Sequence, residues 1–66
     1  MKIIFQGLEK MTTAQTVAGF LTEQKVNMQT VVLELNGEIH NSCHDLEKLI
    51  LHEGDVLNLF RIVAGG

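Results

Sequence analysis

Residues 31–40 read VVLELNGEIH, and this stretch predicts a β-hairpin. Val31 to Leu35 is a short run of β-branched and aliphatic residues with the alternation typical of a strand. Asn36-Gly37 follows it and is the dipeptide best suited to a tight hairpin turn. Glu38 to His40 then supplies the returning strand.

Two weaker strands are predicted at the N-terminal end of the chain. Met1 to Gln6 is a β-branched and aromatic run that Gly7 stops, as expected for a strand followed by a turn. Leu8 to Thr12 can return antiparallel to it as a second strand.

One amphipathic helix is predicted between these strands and the hairpin, from about Thr16 to Lys25. Residues 13–16 offer two possible N-caps. The apolar residues behind them recur at the i, i+3, i+4 spacing of a helix and are Val17, Phe20 and Leu21. Gly19 inside the helix costs about 1 kcal/mol relative to alanine, and we interpret it as a point of close packing onto a sheet.

The C-terminal half is predicted to add a short helical turn and a long last strand. Ser42 can cap a turn over Cys43 to Lys48, and Leu49 to Leu51 adds a few strand residues. A turn at Glu53 to Asp55 precedes the strand Val56 to Val63. One helix on one mixed sheet of four to five strands is the economical packing for this order, which gives an α+β fold. We expect a single domain over residues 1–63 and a flexible tail over residues 64–66.

Length, charge and cysteine count exclude several classes of function. With 66 residues, the chain is too short to supply a substrate pocket and a catalytic constellation from several elements. The net charge of −3 and five dispersed basic residues argue against a nucleic-acid partner. One cysteine excludes an internal disulfide, and no apolar run approaches the length of a membrane span. We therefore expect a cytoplasmic protein with no membrane partner, and its slightly positive mean hydropathy suggests an apolar surface for another protein.

The reactive side chains do not form a recognisable catalytic or metal-binding motif. His40, Cys43 and His44 lie close in sequence, but a structural zinc site needs four ligands and only the distant His52 remains to complete it. The sequence shows no sign of an environment that would activate Cys43 as a nucleophile. We expect all four side chains to be solvated rather than functional, with no metal bound.

The C-terminal sequence Ala64-Gly65-Gly66 is the feature with the clearest chemical meaning. Terminal glycines weaken local order and add no packing, so a frayed end is one interpretation. The other is that Ala64 and Gly65 thread a narrow channel of another protein and present the Gly66 carboxylate to a nucleotide. A bulky side chain at Gly65 or Gly66 would block that passage.

With this ending, the chain resembles the ThiS/MoaD family of small sulfur-carrier proteins, which have the ubiquitin-like β-grasp fold. Within that family it is most similar to the carriers for the thiazole ring of thiamine. The segments that carry the resemblance are Gln15–Val17, Val32–Ile39, Gly54–Asp55 and, most strongly, Leu59–Gly66. The segment His40–Lys48 departs from the family pattern.

The resemblance implies a carrier that is a cosubstrate rather than an enzyme. A ThiF- or MoeB-like enzyme would use ATP to adenylate the Gly66 carboxylate, and a persulfide donor would convert it to a thiocarboxylate. A ThiG-like thiazole synthase would then accept the sulfur. No cofactor or metal is implied for the carrier itself.

The last strand is expected to present the tail to these partners. Alternation places Leu57 and Leu59 on the core face and Asn58, Phe60 and Ile62 on the other. An exposed Phe60 beside Ile62 and Val63 would form a partner-binding anchor. The alternative is a second core face covered by a loop.

Other functions remain open from the sequence. The small subunit of molybdopterin synthase has a similar fold and tail but is usually longer, and carriers for other sulfur metabolites are possible. A ubiquitin-like modifier would join Gly66 to lysines of target proteins. A noncovalent interaction domain would leave the tail unmodified.

Overall fold

The computed structural model describes residues 1–40 and 43–61, with the side chains of residues 43 and 44 outside that description. One mixed five-stranded sheet carries the fold, with spatial order β2-β1-β5-β3-β4. Parallel pairing joins β1 to β5, and the other neighbouring strands are antiparallel. The elements are β1 (Lys2–Phe5), β2 (Leu8–Met11), α1 (Val17–Glu23), β3 (Val31–Leu35), β4 (Glu38–His40), α2 (Cys43–Leu46) and β5 (Val56–Arg61). The predicted α+β class, with a helix against a mixed sheet, is confirmed.

Both hairpins turn through two residues of positive φ. Asn36 and Gly37 have φ values of 51° and 89°, which a type I′ turn requires at its two central positions. Gln6 and Gly7 adopt the same region, with φ values of 52° and 80°. The hairpin predicted from Asn36-Gly37 and the weaker one around Gly7 are therefore both confirmed.

Helix α1 begins where the sequence predicts and ends slightly earlier. Thr16 is its N-cap, and Oγ1 of Thr16 accepts a hydrogen bond from the Gly19 amide at 3.0 Å. The helix ends at Glu23 rather than near Lys25. The expectation that Gly19 packs onto the sheet is wrong: a Cβ there would lie 3.2 Å from Oγ1 of Thr16 and 3.6 Å from Cβ of Ala14. The N-cap itself limits the space.

The core lies between α1 and one face of the sheet. Phe20 of α1 is fully buried, and its ring meets that of Phe5 edge-on at a centroid distance of 5.2 Å. The predicted helix positions thus all face inward. The largest fully buried side chains are Phe20, Ile3, Leu21, Leu33, Leu57 and Val17.

The segment between β4 and β5 departs from the prediction. Leu49 to Leu51 is not a strand of the sheet; only Ile50 forms an isolated bridge, with Thr16. Leu51 is buried while Ile50 is 56% exposed, because the segment crosses the start of α1 instead of joining the sheet. Helix α2 ends at Leu46, before the expected Lys48, and the predicted Ser42 cap lies outside the described residues.

Neither helix in the described part of the chain has the length and apolar character needed to cross a membrane.

Candidate functional site

Strand β5 leads to the Gly-Gly sequence and occupies the centre of the sheet. It pairs with β3 over Leu57 to Arg61 and with β1 over Val56 and Leu57. The last described part of β5, residues 58–61, therefore keeps its backbone pairing with β3 after the pairing with β1 has ended. This pairing fixes the position and direction of the backbone at Arg61, the last described residue.

Asn36 fixes the start of β5. Its Oδ1 accepts from the Val56 amide at 2.8 Å, and its Nδ2 donates to Oδ1 of Asp55 at 3.0 Å. The other carboxylate oxygen of Asp55 accepts from the His52 amide at 2.8 Å. Asp55 is largely buried, and such a carboxylate is stable only when it is hydrogen-bonded. The side chain of Asn36, in the turn between β3 and β4, thus holds the start of β5, the strand that leads to the C-terminal residues.

Gln6 holds the middle of β5 where the backbone of β1 no longer reaches. The backbone amide of Gln6, directly after β1, donates to the Leu57 carbonyl at 2.9 Å. In the described chain this is the last backbone hydrogen bond between this segment and β5. The Leu59 amide then donates to Oε1 of Gln6 at 3.0 Å, and Nε2 of Gln6 lies 3.5 Å from the Leu59 carbonyl. The side-chain amide therefore substitutes for the next backbone pair. Sequence reasoning assigned Gln6 to a strand and missed this contact.

The two faces of β5 differ as the alternation predicts. Leu57 is fully buried and Leu59 packs against the core. On the opposite face, Nδ2 of Asn58 donates to Oε1 of Glu34 at 3.0 Å, and Phe60 lies opposite Val32. Phe60 is 50% exposed, so no loop of the described chain covers it as a second core. Its role as a partner anchor stays a prediction.

The other predicted site residues lie outside the described residues. These are Ile62, Val63, Ala64, Gly65 and Gly66. The predicted boundary between a domain ending at residue 63 and a tail over 64–66 falls in the same segment and stays a prediction.

The histidines of the described chain are dispersed. The expectation of a solvated side chain is wrong for His40, which is only 15% exposed because it lies in the β3–β4 hairpin; its Nε2 lies 3.3 Å from Oε1 of Glu38. His52 is exposed as expected and lies 3.9 Å from the Asp55 carboxylate. Within the described residues, no group of three histidine, cysteine or acidic side chains lies close enough to hold a metal ion. The structure assigns no role to His40 or His52, and the side chains of Cys43 and His44 lie outside it.

Comparison with known families places this geometry in context. The model of the ThiS family matches residues 3–66. The chain belongs to the ThiS family. Its fold is similar to the crystal structure of a thiamine biosynthesis protein (ThiS) from Geobacter metallireducens, with a TM-score of 0.84, 23% sequence identity and complete coverage of both chains. This likeness confirms the predicted ubiquitin-like β-grasp fold of this ThiS family member. None of the curated proteins matches the chain.

Proposed function

We propose that the protein is a sulfur carrier of thiamine biosynthesis, with the Gly66 carboxylate as the carrying group. The observation that carries the proposal is the match to the ThiS family, which extends through residue 66 and includes the Gly-Gly ending. Support also comes from β5, whose central position in the sheet sets the direction of the chain at Arg61.

The proposed chemistry takes place in the partners' active sites. The Gly66 carboxylate attacks the α-phosphorus of ATP and pyrophosphate leaves, which converts a poor electrophile into an acyl-adenylate. A persulfide sulfur then attacks the carbonyl carbon and AMP leaves. A thiol cleaves the resulting sulfur–sulfur bond, forming a disulfide and releasing the C-terminal thiocarboxylate. The protein is thus a cosubstrate rather than an enzyme, and it binds no nucleotide of its own.

The partners follow from these steps. A ThiF- or MoeB-like adenylating enzyme supplies the ATP site, and a ThiG-like thiazole synthase accepts the sulfur. Glycine at positions 65 and 66 lets the chain pass through a narrow channel because neither residue has a Cβ atom. Phe60 contributes an exposed aromatic side chain directly before Arg61, the last described residue. We assign it, with Ile62 and Val63, to the surface that these partners bind.

A growth experiment tests the pathway. Loss of the gene should make growth depend on added thiazole or thiamine, and the wild-type chain should restore it. The Gly65→Leu variant should not restore growth, because its side chain blocks the channel. Gly37→Asn is the matched control: Gly37 lies in the turn beside the start of β5, at the opposite end of that strand from Arg61. It has a φ of 89° with nothing within 4 Å of an added Cβ, and the variant should restore growth.

The same experiment separates the alternatives. A deletion strain that grows without thiazole but loses its molybdopterin-dependent enzyme activities would identify a molybdopterin-synthase small subunit. Full restoration by Gly65→Leu would contradict any carrier or modifier function and favour a noncovalent interaction domain. Conjugates of Gly66 with lysines of other proteins would identify a ubiquitin-like modifier.

A further inference from the structure

A cavity of about 340 Å³ lies beside the end of β5, on the face of the sheet that carries α1. We call it the tail-root cavity because Arg61, the last described residue before the tail, forms part of its wall. The turn after α1 and the start of β3 form the opposite side. Its polar lining residues are Gln6, Lys25, Asn27, Thr30 and Arg61.

The tail-root cavity is positively charged in an acidic chain. Lys25 and Arg61 are two of the five basic residues, whereas the chain as a whole carries a net charge of −3. None of the described acidic residues lines the cavity. Within the described chain, neither cation has a carboxylate oxygen within 4.0 Å. Two cations that have no carboxylate partner among the described residues therefore share one concave surface.

The backbone holds Lys25 at the cavity in an unfavourable conformation. Lys25 has a φ of 59°, and its amide donates to the Thr22 carbonyl at 3.0 Å. Glycine or asparagine adopts this conformation after a helix more readily than lysine does. Local strain of this kind is a reason to look for a function of the side chain, here the placement of an ammonium group at the cavity.

The three remaining polar side chains of the lining each make a hydrogen bond within the chain. The side-chain amide of Gln6 is bonded to the Leu59 backbone, and Oδ1 of Asn27 accepts from the Gln29 amide at 3.0 Å. The Thr30 hydroxyl donates to the Asn27 carbonyl at 3.0 Å. Attraction for an anion thus comes mainly from the two exposed cations. Because a carboxylate on a docked protein is already held at the cavity, two exposed cations bind it more readily than they bind a free anion.

We propose that the tail-root cavity receives an acidic side chain of the protein into which the tail threads. The inference rests on the proposed function, since the activating enzyme is the partner that it concerns. Arg61 can bind a carboxylate through two N–H groups, and Lys25 contributes a point charge. Because Phe60 projects from the opposite face of β5, a partner that holds both surfaces grips the strand from two sides where the tail begins. The charges steer the encounter and fix the direction of entry.

The first test measures adenylation kinetics with the purified activating enzyme. The variant Lys25→Gln/Arg61→Gln should raise the KM for the carrier by about tenfold at low salt, with kcat nearly unchanged, because rim charges act mainly on association. The difference from wild type should shrink as the salt concentration rises to about 0.5 M, because salt screens exposed charges. Lys48→Gln removes an exposed lysine outside the cavity, and its KM should match that of wild type. The melting curve of each variant checks that it is folded.

The second test identifies the partner group directly. A carbodiimide joins lysine amines to carboxylates that touch them, without adding a spacer. Applied to the complex with the activating enzyme, it should link Lys25 to an aspartate or glutamate of that enzyme, and digestion with mass spectrometry should locate the link. Lys48 should give no such link.

Three results would overturn the inference. An active wild-type carrier whose double variant keeps the same KM at low salt would show that the cavity does not take part in docking. A rise in the KM for ATP rather than for the carrier would assign the cations to nucleotide phosphate. A wild-type chain that is not adenylated at all would remove the proposed function and this inference with it, a result distinct from the other two.

Discussion

Phe60 and Phe20 show how position decides the role of the same side chain. Phe20 is fully buried between α1 and the sheet, whereas Phe60 is 50% exposed on the opposite face of the sheet. Phe60→Ala should lower the free energy of unfolding by less than about 1 kcal/mol, as most surface substitutions do. It should weaken binding to the activating enzyme by about 2 kcal/mol or more, as loss of an aromatic anchor does. Urea denaturation and calorimetric titration measure the two effects.

Phe20→Ala is the matched control for this prediction. Removal of a buried phenylalanine costs about 3–5 kcal/mol of stability, so this variant should unfold far more easily than Phe60→Ala. If Phe60→Ala lost as much stability as Phe20→Ala and showed no separate binding defect, Phe60 would be a core residue and the interface assignment would be wrong.

Asn36 shows how far single residues are predictable. The dipeptide Asn36-Gly37 predicts a turn because asparagine and glycine tolerate positive φ, and the turn is there. The contacts of the Asn36 side chain with Asp55 and Val56 were not predictable, because these partners lie 19 and 20 residues further along the chain. The only local signal was Asp55 itself, a carboxylate directly before a buried strand that needs hydrogen-bond donors.

At the scale of elements, β5 depends on a side chain to complete its pairing with β1. Gln6→Asn should keep the hairpin turn, because asparagine accepts a positive φ, but its side chain is one methylene too short to reach Leu59. Loss of a hydrogen bond worth about 1 kcal/mol should speed exchange of the Leu59 amide hydrogen about fivefold. Hydrogen exchange followed by NMR measures this rate.

Leu57 and Leu33 provide internal references for the same experiment. The side chain of Gln6 bonds the Leu59 backbone and accepts no hydrogen bond from the amide of Leu57 or of Leu33, so exchange of these two amides should change little. Equal acceleration at all three amides would show a general loss of stability instead of a local clamp, and no change at Leu59 would contradict the clamp.

Elements with a strong local pattern were predictable, and those decided by distant contacts were not. The hairpin at residues 31–40 and helix α1 follow from alternation, turn chemistry and apolar spacing. Leu49 to Leu51 is an apolar run without periodicity, which does not distinguish a strand from a segment that crosses another element. In the structure its backbone pairs with Gln15 to Val17 at the start of α1, and no local pattern reports that neighbour.

At the scale of the whole molecule, the residues that stabilise the fold differ from the residue predicted to react. The buried core ends with Leu57 in β5, and the predicted reacting group, the Gly66 carboxylate, lies beyond the described residues. The ending Ala64-Gly65-Gly66 was the accessible signal for a carrier, because alanine and glycine have little or no side chain to pack. The tail-root cavity was not predictable, because Lys25 and Arg61 come together only when β5 lies beside the turn after α1.

The most direct test of the account is the intact mass of the chain after incubation with ATP, the activating enzyme and a persulfide donor. We expect an acyl-adenylate intermediate and then a mass gain equal to the exchange of one oxygen for one sulfur, confined to the C-terminal peptide. Deletion of Gly66 should abolish the gain and leave the melting temperature unchanged, because glycine has no side chain to bury in the core. An unchanged mass in the presence of an activating enzyme that is active on another carrier would contradict the carrier function.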